Sequence, residues 1–156
     1  MSVSEEMFAN RIQDLFPRIM RYLEAEAERE LIGLDVTSSQ MGALVALSRA
    51  QERTMGELAE DLGLTESATT RLVDRLVGMN LVRRRRDDQD RRVVRVRLSS
   101  YGRQLVELVL SRRQAQFLRT AAHMTDDERG RLLGGLEALL KAWATIEQAA
   151  HENHPR

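Results

Sequence analysis

The chain has 156 residues, 42% of them hydrophobic, which is enough to bury one core and too few for two, so one unit over residues 1–156 is expected. It contains no cysteine, which excludes disulfides, thiolate metal sites, cysteine nucleophiles and thiol-based redox sensing. Its 24 acidic and 24 basic residues cancel, which excludes a uniformly basic surface and leaves only a local patch as a possible anion-binding face.

The opening MSVSEEMFANRI lacks the charged-then-apolar layout of a signal peptide, and no apolar run reaches the length of a membrane span. A soluble, cytoplasmic protein with no membrane partner is expected. From about Ser4 to Leu31, Phe8, Ile12, Leu15, Ile19, Tyr22 and Leu23 recur at steps of three or four, the spacing of one face of a long helix. Gly33 ends it. Thr37 then stands at an N-cap ahead of Met41, Leu44, Val45 and Leu47, a second helix. Thr54 with Glu57 three residues on is a capping-box pattern that opens a third helix, about two turns long, before Gly63.

Leu64 is expected to plug the core, and Thr65 caps a fourth helix with Ala68, Leu72, Val73 and Leu76 inward. Its opposite face carries Ser67, Thr70, Arg71, Asp74 and Arg75. Two short helices joined by a tight glycine turn, the second presenting hydroxyls and arginines, form a helix-turn-helix. The segment LVRRRRDDQDRRVVRVRL, residues 81–98, reads as two strands around a polar centre, because Val94, Val96 and Leu98 alternate with Arg95 and Arg97. It is a β-hairpin, a wing.

Ser99 begins a fifth helix, with Leu105, Leu108, Val109 and Phe117 along one side. Thr125 begins a sixth, where Asp126, Asp127 and Glu128 suit the helix dipole and Leu132, Leu133, Leu136, Leu139, Leu140, Trp143 and Ile146 form a packing face. The HENH tail, with His151 and His154 three apart, reads as a fraying end rather than a metal site. No cofactor motif, metal-ligand set or catalytic constellation can be assembled, so an enzyme is not expected.

Counted by region, the charges separate. Residues 1–64 hold 12 acids and 6 bases, residues 65–98 hold 5 and 10, and residues 99–156 hold 7 and 8. The basic excess lies on the fourth helix and the wing, as a local nucleic-acid footprint does. Of the 24 bases only Lys141 is a lysine, a bias that reads mainly as GC-rich coding, although arginine also suits phosphate and groove contacts.

From Thr37 to about Leu105 the chain resembles the MarR (multiple antibiotic resistance regulator) family of winged helix-turn-helix transcription factors. The resemblance rests on TMGELAEDLGLTESATTRLVDRLVGMNLVRRRR over 54–86 and DRRVVRVRLSSYGRQL over 90–105. Leu98, Ser99 and Gly102 occupy the family's Leu-Thr-x-x-Gly signature, with serine keeping the capping hydroxyl. The fold implied is mostly α with a small β-wing: a winged helix-turn-helix lobe over 37–98, with dimerisation helices over 1–32 and 103–150. The resemblance implies that Ser67, Thr70, Arg71 and Arg75 meet the major groove. It also implies that Asp90 orients Arg92 for the minor groove, with Arg91 adding a phosphate contact.

Arg86, the member of the Arg83–Arg86 run nearest the wing tip, joins the candidate DNA-binding set, although such a run is as readily a solvated strand face. The expected partners are double-stranded DNA bearing an inverted repeat, a second copy of the chain and a small-molecule effector that releases a repressor. Arg18, Tyr22 and Met41 are the candidate walls of an effector cleft between the first, second and fifth helices. Two alternatives stay open: a DNA-binding regulator with no effector, and a winged-helix module that binds protein instead.

Overall fold

The structure, a computed structural model, describes residues 3–152. It divides into two compact units, residues 1–113 and 114–156. The elements in chain order are α1 (Glu5–Glu30), α2 (Ser38–Ser48), β1 (Arg53–Thr54), α3 (Met55–Leu62), α4 (Glu66–Gly78), β2 (Val82–Arg86), β3 (Val94–Leu98), α5 (Ser100–Ala122) and α6 (Asp126–Glu152). The mostly helical chain with a β-wing is therefore as the sequence implies, and α5 runs across the boundary between the units. His154 of the HENH motif lies outside the described residues.

Local chemistry sets the helix ends. Ser4, Thr37, Thr54 and Thr65 each adopt extended backbone and accept, through the side-chain oxygen, an N–H of the first turn. At Thr37 and Thr54 the bond is reciprocal, because Gln40 and Glu57 return a side-chain oxygen to the cap N–H at 2.8 and 2.7 Å. Gly63 closes α3 at φ +61°, a left-handed turn that a side chain would strain, and the Leu64 N–H returns to Ala59 O. Pro17 lies inside α1 without ending it, one N–H short in the helical ladder.

The core of the first unit gathers Leu44 and Leu47 from α2, Leu58 from α3, Val73 and Leu76 from α4, Val82 and Val96 from the wing, and Val106 and Val109 from α5. Thr69 is also fully buried on α4, its hydroxyl donating to Thr65 O at 3.0 Å. Leu64 departs from expectation. It is 42% exposed, because the left-handed turn at Gly63 directs the chain outward before α4 starts. Leu108 and Phe117, expected along the apolar side of α5, are exposed too.

The wing is a three-stranded antiparallel sheet in the order β1-β3-β2. Val82 faces Leu98, Arg84 faces Val96 and Arg86 faces Val94, so one face of the hairpin joins the core and Arg83, Arg85, Arg95 and Arg97 share the other. The third strand, β1, was not expected. It pairs only Arg53 with Val96 and Thr54 with Arg95.

The base of the wing is fastened to the end of α4. Asn80 takes a left-handed φ of 56°, and the Leu81 N–H returns to Leu76 O. The Ser99 hydroxyl donates to Asn80 O at 2.7 Å and accepts the Gly102 N–H at 2.9 Å, while the Ser99 N–H donates to Leu81 O. A Cβ on Gly102 would lie 2.0 Å from Leu81 O, so α5 starts where only glycine fits. Helix α6 stands in the second unit with Leu132, Leu133, Leu136, Leu140, Trp143 and Ile146 exposed.

Candidate nucleic-acid interface

The capping of α4 decides what its outer face carries. Thr65 Oγ1 accepts the Ala68 N–H at 3.3 Å and lies 3.2 Å from Ser67 Oγ, so the Ser67 hydroxyl sits beside the helix N-terminus. Burial of Thr69, Val73 and Leu76 fixes the rotation of the helix and turns Ser67, Thr70, Arg71 and Arg75 outward, all exposed as expected. Asp74 lies among them. It is held by Arg84 of β2, whose Nη1 donates to Asp74 Oδ1 at 2.6 Å.

The wing tip is an ordered turn. Asp87 Oδ1 accepts the backbone N–H groups of Gln89 and Asp90 at 2.8 and 3.1 Å, and its other oxygen accepts Arg95 Nε. The hydrogen bond from Arg95 comes first, and with the two backbone N–H groups it holds the Asp87 carboxyl at about 2, below its ordinary range. The backbone closes the loop through Asp87 N–H to Val93 O and Val93 N–H to Asp90 O, both 2.9 Å. Asp90 Oδ1 accepts the backbone N–H of Arg92 at 2.9 Å. The carboxylate thus shapes the turn at Arg92 through its backbone, while the side chains of Arg86, Arg91 and Arg92 stay exposed.

A second clamp lies on the outer face of the sheet. Glu52, in the loop before β1, accepts Arg85 Nε and Nη2 at 2.9 and 2.8 Å, and Arg85 Nη1 also donates to Asp88 at 3.0 Å. This two-pronged hydrogen bond from Arg85 holds the Glu52 carboxyl below its usual range. Of the wing arginines, Arg84, Arg85 and Arg95 are therefore engaged by carboxylates of the same chain. Sequence reading missed these partners because they come from 10, 33 and 8 residues away, and nothing in the spacing marks them.

A cleft of about 280 Å³ lies apart from this face. Ala27, Glu30 and Leu31 of α1, Met41 and Val45 of α2, Arg49, and Asp61 and Leu62 of α3 line it, with Arg113 of α5. Glu30 is buried and accepts Arg113 Nε and Nη2 at 3.1 and 2.9 Å, while Arg112 Nη1 donates to Glu30 O at 2.6 Å. Of the three candidate effector residues, Met41 is a wall of this cleft. Arg18 and Tyr22 lie earlier on α1, exposed, and are not among its walls. No group of three or more metal-ligating side chains occurs among the described residues.

Residues 36–94 match the model of the MarR family. An uncharacterized HTH-type transcriptional regulator, YsmB of Bacillus subtilis, is 36% identical over 93 residues, 60% of this chain and 64% of its own. The chain thus spans a little under two thirds of that relative's length. The HTH-type transcriptional repressor MdtR of the same organism is 31% identical over 117 residues, 75% of this chain and 73% of its own. Among solved structures, a mutant MarR from E. coli complexed with operator DNA superimposes with a TM-score of 0.70 at 27% identity, covering 83% of this chain and 94% of that one.

Proposed function

Because the chain belongs to the MarR family of transcriptional regulators, we propose that it is a cytoplasmic, dimeric, sequence-specific DNA-binding repressor, released from an inverted-repeat operator by a small-molecule effector. The observation that carries this reading is the joint exposure of Ser67, Thr70, Arg71 and Arg75 on α4 with Arg86, Arg91 and Arg92 on the wing. A major groove admits one α-helix, and hydroxyl and guanidinium groups supply the donors and acceptors that read base edges. The free N–H groups at the Thr65-capped end of α4 suit a phosphate. Arg92, at the tip of a turn fixed by Asp87 and Asp90, suits a narrow minor groove, where negative potential is enhanced.

The operator reported with the E. coli neighbour supports the same partner here, and the name of MdtR supports repression. One chain carries few contacts. Exposed apolar residues on α1, among them Phe8, Phe16 and Ile19, and on α6, among them Leu133, Leu140 and Ile146, favour a second copy as their cover. Two recognition helices about 34 Å apart would then face successive major grooves, which makes the operator an inverted repeat. The cleft beside Met41 is the candidate effector site. An effector acts there only if it binds the DNA-incompetent arrangement more tightly than the competent one.

Fluorescence anisotropy tests the reading, using the wild-type protein and Arg92→Ala on duplexes recovered from a randomised pool and on scrambled duplexes. The expected result is tight binding to the recovered sequence and a loss of about tenfold with Arg92→Ala, the scale of one good groove contact. Equal, weak binding to both duplexes, unchanged by the substitution, would sink the DNA reading and favour a protein partner for the winged helix.

A further inference from the structure

Helix α4 and the wing are tied together by an exposed side chain that lies outside the core. Arg84 of β2 reaches α4, where Nη1 donates to Asp74 Oδ1 at 2.6 Å and Nη2 donates to the Thr70 carbonyl at 3.2 Å. The Thr70 carbonyl points along the helix toward residue 74, so the planar guanidinium meets both acceptors at one place on α4 and holds the helix to the strand through two hydrogen bonds. We propose that Arg84 and Asp74 are positioning residues that fix the recognition helix at a set angle to the wing, so that major-groove and minor-groove contacts are made together.

Two observations favour this over a plain surface ion pair. The side chains of Arg84 and Asp74 are 31% and 57% exposed, and pairs that open to water add little to stability. An acidic side chain on the outer face of α4, between Thr70 and Arg75, is also unfavourable beside DNA phosphates unless something neutralises it. Arg84 neutralises it and at the same time joins α4 to the wing. Contacts that fix orientation carry no sequence information themselves, yet they decide which base-reading groups reach their targets at once.

The inference rests on the DNA-binding reading above, and its test separates the two. Wild-type protein first enriches a duplex from a randomised pool, and hydroxyl-radical protection marks where the wing lands. Anisotropy then compares the enriched duplex with one altered in its core, under α4, and one with A·T pairs changed to G·C in the flank, under the wing. Asp74→Ala and Arg84→Met are each expected to lose about tenfold of flank discrimination while keeping core discrimination within about twofold. Arg84→Lys, which keeps a donor for Asp74 but loses the fork that also reaches the Thr70 carbonyl, is expected to fall between the wild-type protein and Arg84→Met. Because each readout is a ratio between duplexes, the change in net charge cancels, and thermal melting checks that each variant is folded.

Single variants that keep the full flank preference overturn the positioning role and leave the DNA reading standing. Failure of the wild-type protein to enrich any duplex overturns the DNA reading, and the positioning role with it.

Discussion

Gly102 packs against the backbone of Leu81, and a methyl group there would sit 2.0 Å from a carbonyl oxygen that already accepts the Ser99 N–H. Gly102→Ala is therefore expected to destabilise the fold by about 1–3 kcal/mol, toward the upper end because backbone rather than a flexible side chain must yield. Thermal melting checks this, with a fall of about 2–12 °C expected for a chain of this size. Thr54→Ala removes a hydroxyl that accepts the Glu57 N–H at 3.2 Å, and should cost about 1 kcal/mol. Hydrogen bonds from the Thr54 backbone and side chain also hold the Glu57 carboxyl below its ordinary range. A group lowered on folding adds stability above its unfolded value and loses it as pH falls through the folded one. In Thr54→Ala the Glu57 titration, followed by NMR, should accordingly move toward the ordinary carboxylate value. The caps were legible in the sequence because each depends on residues three apart. The reason for Gly102 was not, since Leu81 lies 21 positions away.

The wing turn shows how an element made of charged residues is kept in one shape. Asp87 gathers Arg95 and the N–H groups of Gln89 and Asp90, and Asp90 in turn gathers the N–H of Arg92. Asp87→Ala is expected to speed amide exchange at Gln89 and Asp90 while global melting changes little, since the turn lies outside the core. Its carboxyl is held at about 2, so the turn should persist through mildly acidic solution and open only as pH falls through that value, which an NMR pH titration of the Asp87 carboxyl checks. The α4 face and the hairpin were legible, because burial of Val73, Leu76, Val96 and Leu98 follows the 3.6- and 2-residue periods. The short β1, the exposure of Leu64 and the pairing of Arg84 and Arg85 were not. They depend on which distant segment folds alongside, and an arginine bound to a carboxylate reads the same in sequence as one open to solvent.

At the scale of the molecule, each long terminal helix exposes large apolar side chains, Phe8, Phe16 and Ile19 on α1 and Leu133, Leu140 and Ile146 on α6. Leu136→Glu is expected to shift sedimentation toward a single copy, and the melting temperature of the wild-type protein should rise with its concentration, as it does for a coupled dimer. The internal pairing of the wing has a further thermodynamic consequence. Residues 65–98 carry ten arginines, and three of them, Arg84, Arg85 and Arg95, already have carboxylate partners. The charges of those three are already met by carboxylates of the same chain, so at most seven of the ten per chain can displace the cations condensed on DNA phosphates. For a dimer, the steepest slope of log K against log salt falls from about −18 to about −13, because each phosphate neutralised contributes about −0.9. A count of basic residues would therefore overstate how sharply ionic strength controls release, and the folded protein should hold DNA over a wider range of salt than its composition suggests.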